Sequence, residues 1–164
     1  GQGVLGCRAG PSDELHFENL AHELAHAFEI LESKGPEEIG KPNWGMRITT
    51  ELEIGGRIFQ EAVTFQATQR ECRVGGIQKR LLAMVGHPHA EGLENRLADT
   101  LLRWMPDWHH GGKDETERLA HRRQLILKSF EAWPEERILG AWPQIFEALE
   151  GARQPALKPR RPRP

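Results

Sequence analysis

Two histidines four residues apart, His22 and His26, stand with Glu23 in the stretch AHELAHAF. Four residues rise ~6 Å along a helix, so both imidazoles share one face and can converge on one ion at ~2.0–2.1 Å each. Glu23 is offset from that pair. It is poorly placed as a ligand beside them but well placed to hold a metal-bound water and take its proton. Two ligands and one general base on a single helix are the parts of a zinc hydrolase. Ala21, Leu24, Ala25 and Ala27 are uncharged, so the helix can be buried on several sides. A solvent-facing coincidence of histidines would carry Lys, Arg or Asp at such positions.

A catalytic zinc of this kind needs a third protein ligand and an open position for water. The extended motif with a third histidine on the same segment is excluded, because Glu29 and Glu32 occupy the places of its Gly and His. The alternative is a carboxylate from a later helix. Glu71 is the best candidate. It follows Val63 and Ala67 at four-residue steps and precedes Val74 by three, so it sits at the edge of an apolar stripe. A carboxylate there is costly unless it is paired or bound to metal. A salt bridge to Arg70, Arg73 or the first helix is the competing explanation, and Glu51, Glu53 and Glu61 are the other candidate ligands.

The remaining histidines compete for roles. His87 and His89 flank Pro88 in a polar turn. Zinc peptidases commonly stabilise the developing oxyanion with a Tyr or His. The chain has no Tyr, so His87 or His89 is the candidate transition-state stabiliser. His109 and His110 precede a Gly pair and read as loop, and His16 and His121 read as surface residues. Trp133 and Trp142 read as packing residues, whereas Trp44 and Trp108, in loops, are weaker candidates for a binding surface.

The elements that must position these residues follow from periodicity. Ser12 is a candidate N-cap with two acids behind it. Leu20, Leu24, Phe28 and Leu31 then form a helical stripe, with the histidine pair on roughly the opposite side, and Gly35-Pro36 ends the helix. Gly3 to Leu5 reads as the end of a strand. Ile48, Thr50, Leu52 and Ile54 alternate as in a strand. A second long helix is predicted from Phe59 to Val85, interrupted by Gly75-Gly76, which either kink it or admit another backbone. Leu93, Leu97, Leu101 and Met105 mark a third helix and Leu119, Ile126 and Phe130 a fourth. Pro134 and Pro143 divide the rest into two short helices. The fold class expected is α+β, mostly helical with a small sheet in the N-terminal half. Residues 1–150 form the domain, and 151–164, basic and proline-rich, form a disordered tail or linker.

The bulk properties fit one soluble domain. The chain has 164 residues, 38% hydrophobic and 28% charged, with a formal net charge of -2. That charge argues against a general nucleic-acid or membrane-surface binder. No apolar run approaches the ~18 residues of a membrane span. The absence of an initiating Met and of a signal peptide suggests an excised domain or processed product. Two cysteines, Cys7 and Cys72, are too few for a disulfide scaffold. They form at most one bridge or remain as buried thiols.

LAHELAHAF, RECRVGGI and GLENRLAD together resemble the small zinc metallopeptidases that Gram-negative bacteria deliver as secreted effectors. In the type III effector group an HELxHA helix is followed by E-x-x-x-V-G-(I/L) and then E-N-x-L-R. Here the counterparts are ECRVGGI, with two residues between Glu71 and Val74 and a second Gly before Ile77, and ENRLAD, with Ala98 where the group tends to have a charged residue. The resemblance covers about residues 5 to 100. It implies a zincin-like fold with HExxH on a central helix, Zn²⁺ bound by His22, His26 and Glu71, and Glu23 as base. It also implies an effector or toxin role, with delivery into a target cell.

The function expected is therefore a zinc endopeptidase in which metal-activated water attacks a peptide carbonyl. The substrate would lie extended along an edge strand at Met46 to Ile54. Partners expected are a protein or peptide substrate and a parent secretion protein or cognate inhibitor, with no nucleic acid and no membrane. The rivals are a zinc amidase acting on cell wall and a non-enzymatic helical interaction domain of a phage or secretion apparatus.

Overall fold

A computed structural model describes residues 13–41, 66–103 and 114–153 of the chain. Five helices account for most of them: α1 (Asp13–Ser33), α2 (66–84), α3 (Leu93–Leu101), α4 (Glu115–Lys128) and α5 (Glu135–Arg153). Short 3-10 turns follow α1 at Pro36–Glu38 and precede α3 at Pro88–Ala90.

Asp13 and Glu14 lie in the first turn of α1, where carboxylates complement the helix dipole. The helix stops where Gly35 turns to φ 106°, a conformation that suits glycine, and its N–H closes on the Ile30 and Leu31 carbonyls. Asp114 caps α4 by accepting from the Glu117 N–H at 2.8 Å.

The most buried helix is α2. Cys72, Val74, Ile77 and Leu82 have no exposed surface. Val74 and Ile77 join Ala25, Phe28, Trp133, Ile138 and Ile145 in a core shared with α1 and α5. Cys72 packs with Ala98, Leu101 and Ile126 of α3 and α4, and Leu82 with Ala21 and Leu93. Helix α2 therefore takes part in every one of these clusters, and the HExxH helix α1 packs against it. Gly75 and Gly76 are the reason α2 can sit so deep. A Cβ on Gly76 would come within 2.0 Å of the Glu131 carbonyl oxygen, and one on Gly75 within 2.6 Å of the Phe130 ring. Of the two roles open to this pair, the helix runs on through it and another backbone comes close.

Four expectations need correction. The α+β class is replaced by a helical one, because the described residues contain helices and turns and no strand. Their core clusters are closed by helical side chains together with Ile39 and Trp133. The segments read as strands, 3–5 and 48–54, and the proposed substrate edge 46–54 lie outside the described residues. Second, the zincin-like arrangement with a central HExxH helix is replaced by one in which α2 holds the centre. Third, Pro143 does not end a helix. Helix α5 passes through it to Arg153, beyond the expected domain boundary. Pro143 is exposed, so water can satisfy the carbonyl it leaves unbonded, while buried Ile138 and Ile145 hold the helix on either side.

The fourth correction concerns α1. Its buried centre is Ala21, Ala25 and Phe28, with Leu20, Leu24 and Leu31 only partly covered. Small alanines let α2 approach closely, and the histidines flank this contact instead of facing away from it.

Cys72 is a free, buried thiol whose Sγ–H points at the Ile126 carbonyl 3.7 Å away. Burial, reinforced by the Glu71 carboxylate, pushes it up to about 12, so it is not a reactive thiolate. Cys7 lies outside the described residues. Among the described residues, no helix is long and apolar enough to cross a membrane.

Candidate metal centre

Helices α1 and α2 meet along a polar seam. Glu18 and His22 of α1 contact Gln78 of α2, His22 and His26 contact Glu71, and Glu29 contacts Arg70 and Arg73. Numbers rise on α1 as they fall on α2, so the two helices run antiparallel.

His22, His26 and Glu71 converge at the middle of this seam. The two Nε2 atoms are 3.2 Å apart. Glu71 Oε2 lies 3.5 Å from His22 Nε2, and Oε1 lies 3.6 Å from His26 Nε2. Four-coordinate zinc with bonds of ~2.0–2.1 Å places its donors about 3.3 Å apart. The three groups therefore fit a single tetrahedral ion with little movement. Their side chains retain 27%, 28% and 20% of their exposure, so one side of the cluster is open to water or substrate.

The electrostatics also suit a cation. Burial, then the neighbouring His22 and Arg70, pushes His26 down to about 4, so its ring is neutral at pH 7 and keeps a lone pair to give. Glu71 is raised above the usual carboxylate range. Burial is the main cause, Glu23 and Glu29 add to it, and His22 and Arg70 oppose it. A carboxylate that is costly to ionise unaided gains most from a metal beside it. Glu23 is partly exposed and close enough to Glu71 to bear on its ionisation.

Arg70 and Arg73, which a salt-bridge explanation assigns to Glu71, instead hold Glu29. Arg70 Nη2 lies 2.8 Å from Glu29 Oε2 and Arg73 Nη2 3.2 Å from Oε1. The rival ligands Glu51, Glu53 and Glu61 lie outside the described residues, as do His109, His110, Trp44 and Trp108. His16 and His121 are exposed, Trp133 is buried, and Trp142 is partly exposed while stacking on Phe28.

His87 and His89 are not part of the triad. His89 Nδ1 is 2.5 Å from Glu18 Oε2 and its Nε2 is 3.6 Å from Glu14 Oε2. His87 stacks on Phe17 and accepts the His89 backbone N–H. Both therefore engage the N-terminal half of α1, and Glu18 precedes His22 by one helical turn.

Sequence reasoning missed the groups around the triad. Gln78 bonds His22 Nδ1 at 3.0 Å and the Glu18 carbonyl at 3.2 Å. Its signal is faint: a lone amide two turns after Glu71 on the same helix face. Glu29 carries a clearer one, a carboxylate among the small and apolar residues that follow His26. A groove of about 600 Å³ lined by Gly76, Lys79, Arg80, Glu94, Phe130 and Trp133, among others, lies on the far face of α2 and shares no residue with the triad.

No family model matches the chain, and no match is found among curated proteins or solved structures.

Proposed function

We propose that this chain is a zinc-dependent endopeptidase in which His22, His26 and Glu71 hold the metal and Glu23 is the general base. The reading is carried by the convergence of the three side chains at metal-like spacing on an open side of the α1–α2 seam. Zinc held there supplies Lewis-acid chemistry, acidifying water and polarising a carbonyl. The chain's own residues do the rest. His22 and His26 offer ring lone pairs from one helix face, and Glu71 offers the negative charge. Glu23, next to His22 in the chain, takes the proton from attacking water and hands it to the leaving amine. Peptide as the substrate, and a role as a secreted effector or toxin delivered to a target cell, rest on the resemblance of LAHELAHAF, RECRVGGI and GLENRLAD.

The test is elemental analysis of the purified protein beside His26→Ala and Glu71→Gln. The expected result is about one zinc per chain, lost or strongly reduced in both variants. Digests of protein and of peptidoglycan then separate a peptidase from a cell-wall amidase. No zinc after reconstitution with added metal would overturn the reading and leave a helical interaction domain.

A further inference from the structure

We infer that Gln78 is a positioning residue that fixes His22 in the Nδ1–H tautomer and so aims its Nε2 lone pair at the cluster; the link to metal rests on the function proposed above. The assignment follows from which groups can donate. The Glu18 carbonyl only accepts, so the Gln78 atom 3.2 Å from it is the amide NH₂. The Gln78 carbonyl oxygen must then face His22 Nδ1, 3.0 Å away, and that oxygen also only accepts. His22 Nδ1 therefore carries the hydrogen, and Nε2, facing His26 and Glu71, carries the lone pair.

Gln78 is only 3% exposed, so water does not compete for either bond. Both ends are held by α1, one by a side chain and one by the backbone a turn earlier. The amide cannot rotate without stranding a buried donor against a ring N–H. Gln78 lies two turns beyond Glu71 on the same face of α2. One helix thus supplies both a ligand and the group that orients a ligand of its neighbour. Outer groups of this kind set the tautomer and ring angle of a metal-binding histidine.

The test starts from long-range ¹H–¹⁵N imidazole spectra of the metal-free protein at neutral to mildly alkaline pH. Wild-type His22 is expected as the Nδ1–H tautomer. Gln78→Leu, which removes the acceptor, should release it to a mixture and weaken zinc binding by about 10–100-fold. Gln78→Glu keeps an acceptor toward Nδ1 but turns its second oxygen on the Glu18 carbonyl, so it should hold the Nδ1–H tautomer while lowering stability, an outcome that general loosening of the core would not produce. Wild-type His22 protonated on Nε2, which needs no variant to observe, would overturn the inference. So would Gln78→Leu that folds with tautomer and zinc affinity unchanged. If the wild type takes up no zinc but Gln78→Leu still releases His22 from the Nδ1–H tautomer, the metal reading is overturned and the Gln78 assignment stands.

Discussion

The α1–α2 seam carries two glutamates that are balanced in different ways. Glu29 is 4% exposed and faces two guanidiniums, one of them, Arg70, itself 6% exposed. Its charge is answered inside the protein, and the result is a closed contact between helices. Glu71 faces two imidazoles, and its side chain remains 20% exposed. Imidazoles that are neutral, as His26 is at pH 7, do not answer a carboxylate's charge as a guanidinium does. They present lone pairs beside it, which is the arrangement a cation from solution can complete. Arg70 connects the two regions. It pairs with Glu29, and its charge also lowers His26 and Glu71. The same pair of helices thus holds an ion pair for rigidity within a turn of a donor set suited to a metal.

The largest effect expected is on catalysis. Glu23→Gln keeps the shape of the side chain but removes the proposed base, so the hydrolysis proposed above should fall by about 10²–10⁴-fold while zinc content stays the same. Steady-state cleavage of a peptide substrate alongside elemental analysis checks this. Loss of zinc together with activity would make Glu23 part of the donor set and redraw the open region of the seam.

Next is the closed region. Arg70→Met leaves Glu29 buried with only the more exposed Arg73, and should destabilise the fold by about 3 kcal/mol, near the lower end for breaking a buried pair. The double variant Glu29→Leu/Arg70→Met removes both charges and should recover most of that loss in urea unfolding. If the single variant costs nothing, Glu29 is not the sealed counterpart it is taken to be here. Zinc should contribute a similar but conditional amount. Metal at a hundredfold excess over its dissociation constant stabilises by about 2.7 kcal/mol, and Glu71→Gln should abolish most of that gain in thermal melts.

How much of this could be read beforehand depends on how local each signal is. The histidine pair lies within one turn of helix, so spacing alone places both rings together. Glu71 could be singled out because a carboxylate at the edge of an apolar stripe needs a partner. Which partner is a tertiary question, since Arg70 and Arg73 adjoin Glu71 in sequence and pair with Glu29 in space. The buried face of α1 was misjudged for a related reason. Leucines carry the stronger hydrophobic signal, yet alanines mark where another helix comes closest. Pro143 misled because its cost depends on whether the unbonded carbonyl reaches water. The small sheet rests on the short apolar stretch at 3–5 and the alternation at 48–54, and the core of the described residues is built without it. Gln78 gave almost no signal, because a neutral amide becomes informative only once both of its partners are known.

The smallest effect expected is on pH dependence, and it tests the open region without metal. His26 is neutral in the folded protein down to about pH 4 but titrates near the ordinary histidine value of 6.5 when unfolded. Between those values the unfolded chain binds more protons, so this group makes stability fall as pH drops from 6.5 toward 4. A shift of that size is worth about 3 kcal/mol at most. Glu71 acts in the opposite sense. Its folded pKa is raised, so its contribution is fully present below pH 4.5 and is lost as pH rises through the folded value. The two partly cancel, so the fall expected in chelator-treated protein is smaller than His26 alone would give. His26→Gln should flatten this slope, and Glu71→Gln should steepen it by removing the opposing contribution. Urea unfolding at several pH values with both variants reads this directly. Slopes unchanged in both would mean that the imidazole and carboxylate are too well solvated to be held in poise by the seam, and the contrast with Glu29 would then reduce to exposure alone.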